Sequence, residues 1–425
     1  MMKSPRLALL VCSVVVLLTV ITASARSQGA SNAPDKPNEE VLNHSAASEE
    51  EIIAELSKLG PKNKAFFDSV TPFRNVDARL HSLMIEYNTP AVTPERKDKI
   101  QEEFDKLLLE AEKCRKLMVN TGIEAFKETP FDNPIVFQFC LEMLRYETMR
   151  DNFEVAFQFA DMFLAWPDKI SEIFADDGAN FYSLSGQVAY NCMQFDKAEQ
   201  WYAKAVTLKA DFDNDSIRHQ KEIADQKQFW ADELAIREKE AQADNLPRVL
   251  IRTNKGDITL ELFEDHAPNT VANFISLVKM GFYKDVPFHR VLEGFMAQGG
   301  DPTGTGSGGP GYQIDCECYA KPGQPAPRKH FRGSISMANA GRDTNGSQFF
   351  LMFAPTNLSP MFSLNGKHTV FGRIIEGMDV LADIQRINPE DKVITVVPDL
   401  IIEAKVLRDR GHDYKPAMNK ITLRK

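Results

Sequence analysis

Three stretches in the last third of the chain combine residue types that could do chemistry together. They cover residues 286–301, residues 333–341 followed by 345–350, and residues 364–372. Each alternates apolar and polar side chains between glycines, which is typical of strands whose alternate side chains face opposite sides of a sheet. Five side chains could therefore share one surface: Arg290, Phe295, Gln298, Gln348 and Phe350. In the alternative interpretation, the arginine is a solvated charge and the phenylalanines belong to a core.

Taken together and in this order, the segments FHRVLEGFMAQGGD, SMANAG, NGSQFF and GKHTVFG are similar to the cyclophilin family, with a bacterial-like character. The resemblance extends over residues 246–410. It implies a closed antiparallel β-barrel of eight strands capped by two helices, which we expect at 268–280 and 378–387. A hairpin should open this domain, with strands at 248–253 and 257–263. The resemblance also implies an isomerase (rotamase) that acts on peptide bonds preceding proline.

The same resemblance implies a role for each residue of the site. Arg290 stands at the family's catalytic arginine. The pocket for the proline ring corresponds to Phe295, Met296, Phe350 and Leu364, with His368 on its rim. Gln298 and Gln348 match polar positions beside the arginine, and Ala338 and Asn339 match the segment that holds the substrate backbone. No cofactor and no metal is expected.

The chemistry explains why these residue types are needed. Rotation about an X-Pro bond faces a barrier of roughly 18–20 kcal/mol because the amide has partial double-bond character. No bond is broken, so an apolar socket for the ring and a cation directed at the twisting amide are sufficient. We expect the planar guanidinium of Arg290 to be held by Gln298 while it donates to the substrate. Asn339 should anchor the peptide by backbone-type hydrogen bonds.

One position departs from the family pattern. Many eukaryotic cyclophilins have a tryptophan immediately before the residue that matches Leu364, and bacterial relatives often have phenylalanine there. This chain has Ser363 at that place, preceded by Phe362. We expect the proline ring still to bind, whereas sensitivity to cyclosporin, which depends on that aromatic residue, should not be assumed.

The N-terminal residues have the pattern of a secretory signal. Lys3 and Arg6 precede an apolar run that ends near the small residues at 23–25, so residues 1–25 are predicted to be a cleaved signal peptide. The alternative is a retained single-span anchor, the one case in which a membrane would be a partner. Residues 26–48 are polar and predicted to be a flexible linker. The mature protein is therefore expected to be exported, to the periplasm or the medium.

Residues 49–215 have helical periodicity and are predicted to form an all-α domain. Within residues 181–210, two helices joined by a short turn place Gly186 and Ala198 opposite aromatic side chains, as in a tetratricopeptide repeat. An unrelated helical bundle explains the pattern equally well. A charged connecting helix is predicted for residues 216–245, and residues 411–425 form a C-terminal tail. The helical domain is expected to bind clients or a protein partner.

Composition excludes some classes of function. A net charge of −10 and a pI near 5.5 argue against nucleic acid, which requires a basic surface. Five cysteines remain after the apolar run, and Cys316 and Cys318 are expected to be core thiols in preference to a metal-binding pair. Two functions remain: an isomerase that assists the folding of exported proline-containing polypeptides, or a scaffold that only binds proline peptides. Arg290 favours the enzyme, because a scaffold has no need for it.

Overall fold

The computed structural model describes residues 49–174, 177–320, 322–323, 325–359, 361, 363–391 and 396–419. The predicted signal peptide, the predicted linker, Phe362 and the last residues of the tail lie outside these ranges. The described chain divides into two compact units, one ending at Tyr146 and one beginning at Glu147. This division differs from the predicted boundary at residues 245 and 246. The helices from residue 147 onward are linked to the sheet by the polar contacts described below.

Helices occupy the first half of the described chain. They are α1 Glu49–Leu56, α2 Pro61–Tyr87, α3 Pro94–Glu128, α4 Pro134–Met149, α5 Phe153–Leu164, α6 Pro167–Ile173, α7 Gly178–Asn191, α8 Phe195–Thr207 and α9 Asn214–Ala243. Four of them begin with proline, whose missing N–H costs nothing at a first helical position. Across the described ranges, no helix is both long enough and apolar enough to span a membrane.

In the first unit, α2 and α3 pack together over a phenylalanine-rich core. Phe66 lies against Phe139 of α4, with ring centroids 5.0 Å apart. Gly122 makes this packing possible, because a Cβ at that position would stand 2.7 Å from the Phe139 ring. Aromatic contacts of this kind favour tilted or edge-on geometries, which is what these rings adopt.

The helix pair predicted within residues 181–210 is present as α7 and α8. Gly186 faces Tyr202, and a Cβ on the glycine would lie 2.8 Å from the tyrosine ring. The charged helix α9 covers this pair: His219 stacks on Tyr190 at 3.7 Å and contacts the Tyr202 hydroxyl through Nδ1 at 2.9 Å. Whether the pair is a tetratricopeptide repeat stays a prediction.

The second half of the chain forms one antiparallel sheet. Its elements are β1 Arg248–Thr253, β2 Gly256–Leu262, α10 Pro268–Lys279, β3 Val286–Pro287, β4 Arg290–Leu292, β5 Met296–Gly299, β6 Ser334–Met337, β7 Phe349–Met352, β8 Val370–Glu376, α11 Met378–Asp383 and β9 Leu400–Arg408. The strand order is β3-β9-β1-β2-β8-β6-β7-β5-β4. The predicted β1–β2 hairpin and both helices of this region are present. The core lies between the concave face of the sheet and α10, around Phe274, Phe349 and Phe371.

The prediction of a closed eight-stranded barrel was wrong. In the described residues nine strands form a curled half-barrel, and its two end strands, β3 and β4, are not paired with each other. β3 has only two residues, and one of them, Pro287, has no N–H to continue a ladder. The single bridge from Val291 to Ile387 occupies the free side of β4 in place of a strand.

The second capping helix is shorter than predicted. It ends at Asp383 instead of residue 387, because Ile384 adopts an extended conformation. Arg386 stabilises this ending: its guanidinium donates to the carbonyl oxygens of Ala382 at 3.1 Å and Ile384 at 2.6 Å. Carbonyls at the end of a helix lack intrahelical partners, and a nearby arginine satisfies them.

Candidate active site

A row of side chains crosses four neighbouring strands of the sheet. Arg290 on β4 is paired with Gln298 on β5, Gln298 with Phe350 on β7, and Phe350 with Ser336 on β6. Directly opposed residues of an antiparallel sheet project to the same face. The predicted sharing of one surface by Arg290, Gln298 and Phe350 is therefore confirmed.

An apolar socket lies beside this row. Its base consists of Met296, Phe350 and Met352, and its walls are Leu292, Phe295, Ala338 and Leu364. The sequence predicted Phe295, Met296, Phe350 and Leu364 as the pocket, and the structure brings all four together. Met352 and Leu292 were missed. The spacing of two between Phe350 and Met352 could have revealed Met352, because residues i and i+2 of a strand share a face.

Two histidines flank the Phe350 ring. His368 packs edge-on against it at 5.4 Å, and its Nδ1 lies 2.9 Å from the Met337 carbonyl. His330 stacks parallel to the ring at 5.9 Å. Burial lowers the pKa of both imidazoles, that of His330 to about 3. Both imidazoles are therefore neutral near pH 7 and pack against the Phe350 ring of the socket. His368 was predicted, whereas His330 was missed.

The guanidinium of Arg290 lies at the edge of the socket, with its central carbon 6.0 Å from the centroid of the Phe295 ring. Within the described ranges, its side chain makes no hydrogen bond or ion pair. The expectation that Gln298 holds the guanidinium was wrong: among the described residues Gln298 accepts no hydrogen bond from Arg290, and its amide nitrogen donates to Gln348 Oε1 at 2.9 Å. The charge of Arg290 is thus available to a ligand.

The two glutamines belong to a relay that ends at a buried carboxylate. Gln348 Nε2 donates to the carbonyl oxygens of Gly306 and Gly308, at 3.0 and 2.8 Å. Asp301, which is fully buried, accepts from the main-chain N–H groups of the same two glycines, at 2.7 and 3.0 Å. Burial alone would raise the pKa of Asp301, but these bonds and those from Thr303 lower it to about 2. The carboxylate therefore fixes the glycine loop that orients Gln348 and, through it, Gln298.

Ala338 and Asn339 leave the sheet just after β6. The Asn339 side-chain nitrogen donates to the Lys367 carbonyl at 3.0 Å and to Asn345 Oδ1 at 3.2 Å. Its side chain therefore ties loops together. No main-chain hydrogen bond of Asn339 occurs within the described part of the chain, so its N–H and C=O remain free to pair with an extended peptide.

The two neighbouring cysteines lie behind this loop. Cys316 and Cys318 are buried and not disulfide-bonded, and the Cys316 sulfur accepts from the Asp343 N–H at 3.2 Å. The hydrogen bond from Cys318 lowers the pKa of Cys316. Ser363, half-buried, accepts from the Asn365 N–H through Oγ at 3.2 Å, whereas Phe362 lies outside the described residues.

The part of the chain that carries this surface is similar in sequence to known proteins. A family model described as cyclophilin type peptidyl-prolyl cis-trans isomerase/CLD matches residues 248–406. A peptidyl-prolyl cis-trans isomerase of Helicobacter pylori is 52% identical over 150 residues, which are 35% of this chain and 86% of the relative. One from Synechococcus elongatus is 44% identical over 151 residues, covering 36% of this chain and 95% of the relative. A cyclophilin-type isomerase of Cryptosporidium parvum, solved in the presence of the dipeptide Ala-Pro, is 36% identical with a TM-score of 0.31 and covers 37% and 98% of the two chains.

Proposed function

Because the chain belongs to the cyclophilin-type peptidyl-prolyl cis-trans isomerases and is therefore an isomerase, we propose that Arg290 is its catalytic residue and that the apolar socket receives the substrate's proline ring. The observation that carries this proposal is the row from Arg290 through Gln298 to Phe350. It sets an available cation beside an apolar socket.

The mechanism requires only binding and electrostatics. In a planar amide the nitrogen lone pair is delocalised, so the prolyl nitrogen is a poor hydrogen-bond acceptor. As the bond twists, the lone pair localises and the nitrogen becomes pyramidal. A guanidinium held next to the socket then donates to it, and this interaction is stronger in the transition state than in either ground state. Holding the ring in the socket lets the preceding carbonyl rotate.

The peptide backbone is held beside the socket. The free main-chain N–H and C=O of Asn339 pair with the residue that precedes proline, and Ala338 contacts its side chain. The neutral ring of His368 closes the rim without competing with Arg290 for charge. This arrangement accepts an X-Pro bond within an extended polypeptide, so we propose proline-containing polypeptides as substrates.

The proposal is tested by X-Pro peptide isomerisation with the full chain and Arg290→Ala. A charged hydrogen bond of about 2–3 kcal/mol corresponds to a loss of roughly 30- to 150-fold in kcat/KM. Arg342→Ala is the matched control, because that side chain is 74% exposed and paired with Asp343. Its activity should equal that of the unchanged chain. Full activity in Arg290→Ala would contradict the proposal.

We further propose that the enzyme is exported and assists the folding of exported proteins. The charged start, apolar run and small residues of positions 1–25 support this proposal. N-terminal sequencing of the protein from fractionated cells is expected to give a new terminus at Arg26 in the exported fraction. An intact N-terminus in the membrane fraction would instead establish the retained anchor.

The helical domain is proposed to bind clients or a partner protein. Two large apolar side chains on its helices support this role: Ile85 on α2 is 63% exposed and Leu109 on α3 is 55% exposed. A chain carrying both Ile85→Lys and Leu109→Lys should suppress aggregation of an unfolded client less well, while isomerising a short peptide normally. Arg290→Ala should show the reverse pattern. Equal suppression by the double variant would contradict the proposal.

A further inference from the structure

The turn between α4 and α5 contacts the β4–β5 turn next to the socket. Asp151, in a left-handed conformation with φ of 61°, accepts a hydrogen bond from the main-chain N–H of Gly294 at 2.9 Å. Gly294 immediately precedes Phe295, one wall of the socket. Asp151 is only 1% exposed, so its carboxylate needs compensation.

Arg386 supplies that compensation from the sheet domain. Its Nη2 lies 2.6 Å from Asp151 Oδ2 and 2.6 Å from the Arg150 carbonyl oxygen. Arg386 is itself fixed at the end of α11, and the next residue, Ile387, bridges to Val291 of β4. The carboxylate thus joins the helical segment to both β4 and the β4–β5 turn.

A second contact reaches the other side of Phe295. Glu154 of α5 forms a bidentate pair with Arg332, at 2.6 and 2.5 Å. Arg332 also donates to the Phe353 carbonyl, and the Phe353 N–H donates to the Phe295 carbonyl at 2.9 Å. Two sets of hydrogen bonds therefore position Phe295. Asp151 holds the residue before it, Gly294, and the bonds from Glu154 through Arg332 and Phe353 hold its carbonyl.

The opposite wall of the socket is fixed by α9. Gln226, which is 1% exposed, donates from Nε2 to the Thr356 carbonyl at 3.0 Å. The Thr356 hydroxyl accepts from the Leu364 N–H at 3.3 Å, and the Thr356 N–H donates to the His330 carbonyl at 3.3 Å. Gln226 is thus connected through Thr356, by two successive hydrogen bonds, to Leu364 and to His330, whose ring stacks on Phe350.

We propose that Asp151 and Gln226 are positioning residues of the isomerase, through which the helices of residues 147–243 set the separation of the two walls of the proline socket. This inference rests on the proposed function of the socket. A wall that is already in place adds to affinity because its ordering need not be paid for when the ligand binds. Loss of either contact therefore weakens proline binding, whereas Arg290 keeps its strand pairing with Gln298.

A purely structural role for these contacts makes a different prediction. If they only stabilise the fold, their loss lowers the melting temperature but leaves KM unchanged in the molecules that remain folded. If they position the walls, KM rises even well below the melting temperature. A double-mutant cycle with Phe295 adds a second test, since residues acting through one another give non-additive effects.

The experiment uses the full chain with Asp151→Ala, Asp151→Asn and Gln226→Ala, assayed at least 15 °C below each melting temperature. We expect KM for an X-Pro peptide to rise about 3- to 10-fold in Asp151→Ala and Gln226→Ala, with kcat within twofold. Asp151→Asn keeps an oxygen that can accept from Gly294, so its KM should rise less than half as much. It also provides a variant if the alanine substitution fails to fold.

Asp161→Asn is the matched control, because this α5 residue pairs at the surface with Lys197. Its KM should not change. In Phe295→Ala, where the wall is absent, adding Asp151→Ala should raise KM by less than twofold. If Asp151→Ala and Gln226→Ala fold and keep the KM of the original chain, and the original chain is active, this inference is overturned while the proposed function stands. An inactive unchanged chain, or an active Arg290→Ala, would instead overturn the proposed function.

Discussion

Arg290 and Gln298 lie directly opposite each other on β4 and β5, yet among the described residues their side chains share no hydrogen bond, and the amide nitrogen of Gln298 donates to Gln348 Oε1. The guanidinium therefore lies next to the hydrogen-bonded glutamines without bonding to them. An arginine that is free to donate, beside a socket that is already formed, suits a reaction in which charge must be stabilised only while a bond twists.

The relay behind Gln298 should depend on the ionisation of Asp301. A carboxyl whose pKa is lowered on folding stabilises the protein above its unfolded pKa and loses that contribution as pH falls. With a pKa of about 2 instead of 3.8, Asp301 should contribute about 2 kcal/mol at pH 7, lost between pH 4 and pH 2. Urea unfolding of Asp301→Asn should show this loss at pH 7 and a flatter dependence below pH 4. Equal stability at pH 7 would contradict the assignment.

His330 should make the domain sensitive to mild acid. Its pKa of about 3 in the folded protein means that only the unfolded chain takes up a proton on this residue as pH falls below about 6.5. Protonation of His330 in the unfolded chain therefore lowers the free energy of unfolding by about 2 kcal/mol between pH 7 and pH 5. His330→Gln, which can still bond to Asn365 and Ser336, should remove that part of the pH dependence in urea unfolding. An unchanged slope would show that His330 is not buried as a neutral ring.

Ser363 predicts weak inhibition by cyclosporin. The resemblance to cyclophilins implies that an aromatic residue at this position contacts the inhibitor, and the Ser363 hydroxyl instead accepts from the Asn365 N–H. Introducing an indole by Ser363→Trp buries enough apolar surface for at least a tenfold gain, equivalent to about 1.4 kcal/mol. Inhibition titrations of the two proteins test this directly. Strong inhibition of the unchanged chain would mean that another side chain takes the aromatic position.

Gly186 should be essential to the α7–α8 pair, and Gly178 in the same helix offers a matched control. A Cβ at Gly186 would lie 2.8 Å from the Tyr202 ring, whereas among the described residues one at Gly178 meets only the Phe174 Cβ at 3.9 Å. Gly186→Ala should therefore destabilise by about 1–3 kcal/mol through overpacking. Gly178→Ala should be neutral or slightly stabilising, since alanine favours helix. Equal melting temperatures for the two variants would contradict the packing described here.

Sequence patterns were sufficient for the parts of the site that lie within single strands. Alternation along β4, β5 and β7 placed Arg290, Gln298 and Phe350 on one face, and the pairing of the strands confirms it. The β1–β2 hairpin followed from a local turn signal, and α10 was expected from the resemblance to cyclophilins. Local periodicity is reliable here because each element buries one face against the same core.

Contacts between distant segments could not be predicted in this way. Gln226 and Thr356 are 130 residues apart, and Asp151 and Gly294 are 143 apart. Asp151 resembles an ordinary turn residue, and Gln226 one of many polar residues on a charged helix. The prediction of a closed barrel was wrong for a related reason. Closure depends on whether the two end strands meet, and the residue pattern within each strand does not determine this.

Magnetisation-exchange NMR of an Ala-Pro peptide bound to Arg290→Lys tests the central claim most directly. Lysine keeps the charge but lacks the planar fork. We expect the peptide to bind within about threefold of its affinity for the unchanged chain, because the socket is intact. We expect cis/trans exchange in the complex to slow by at least about tenfold, or about 1.4 kcal/mol. The assignment of Arg290 to the transition state would be contradicted if the exchange rate in the complex did not change. It would also be contradicted if weaker peptide binding explained the whole decrease in the exchange rate.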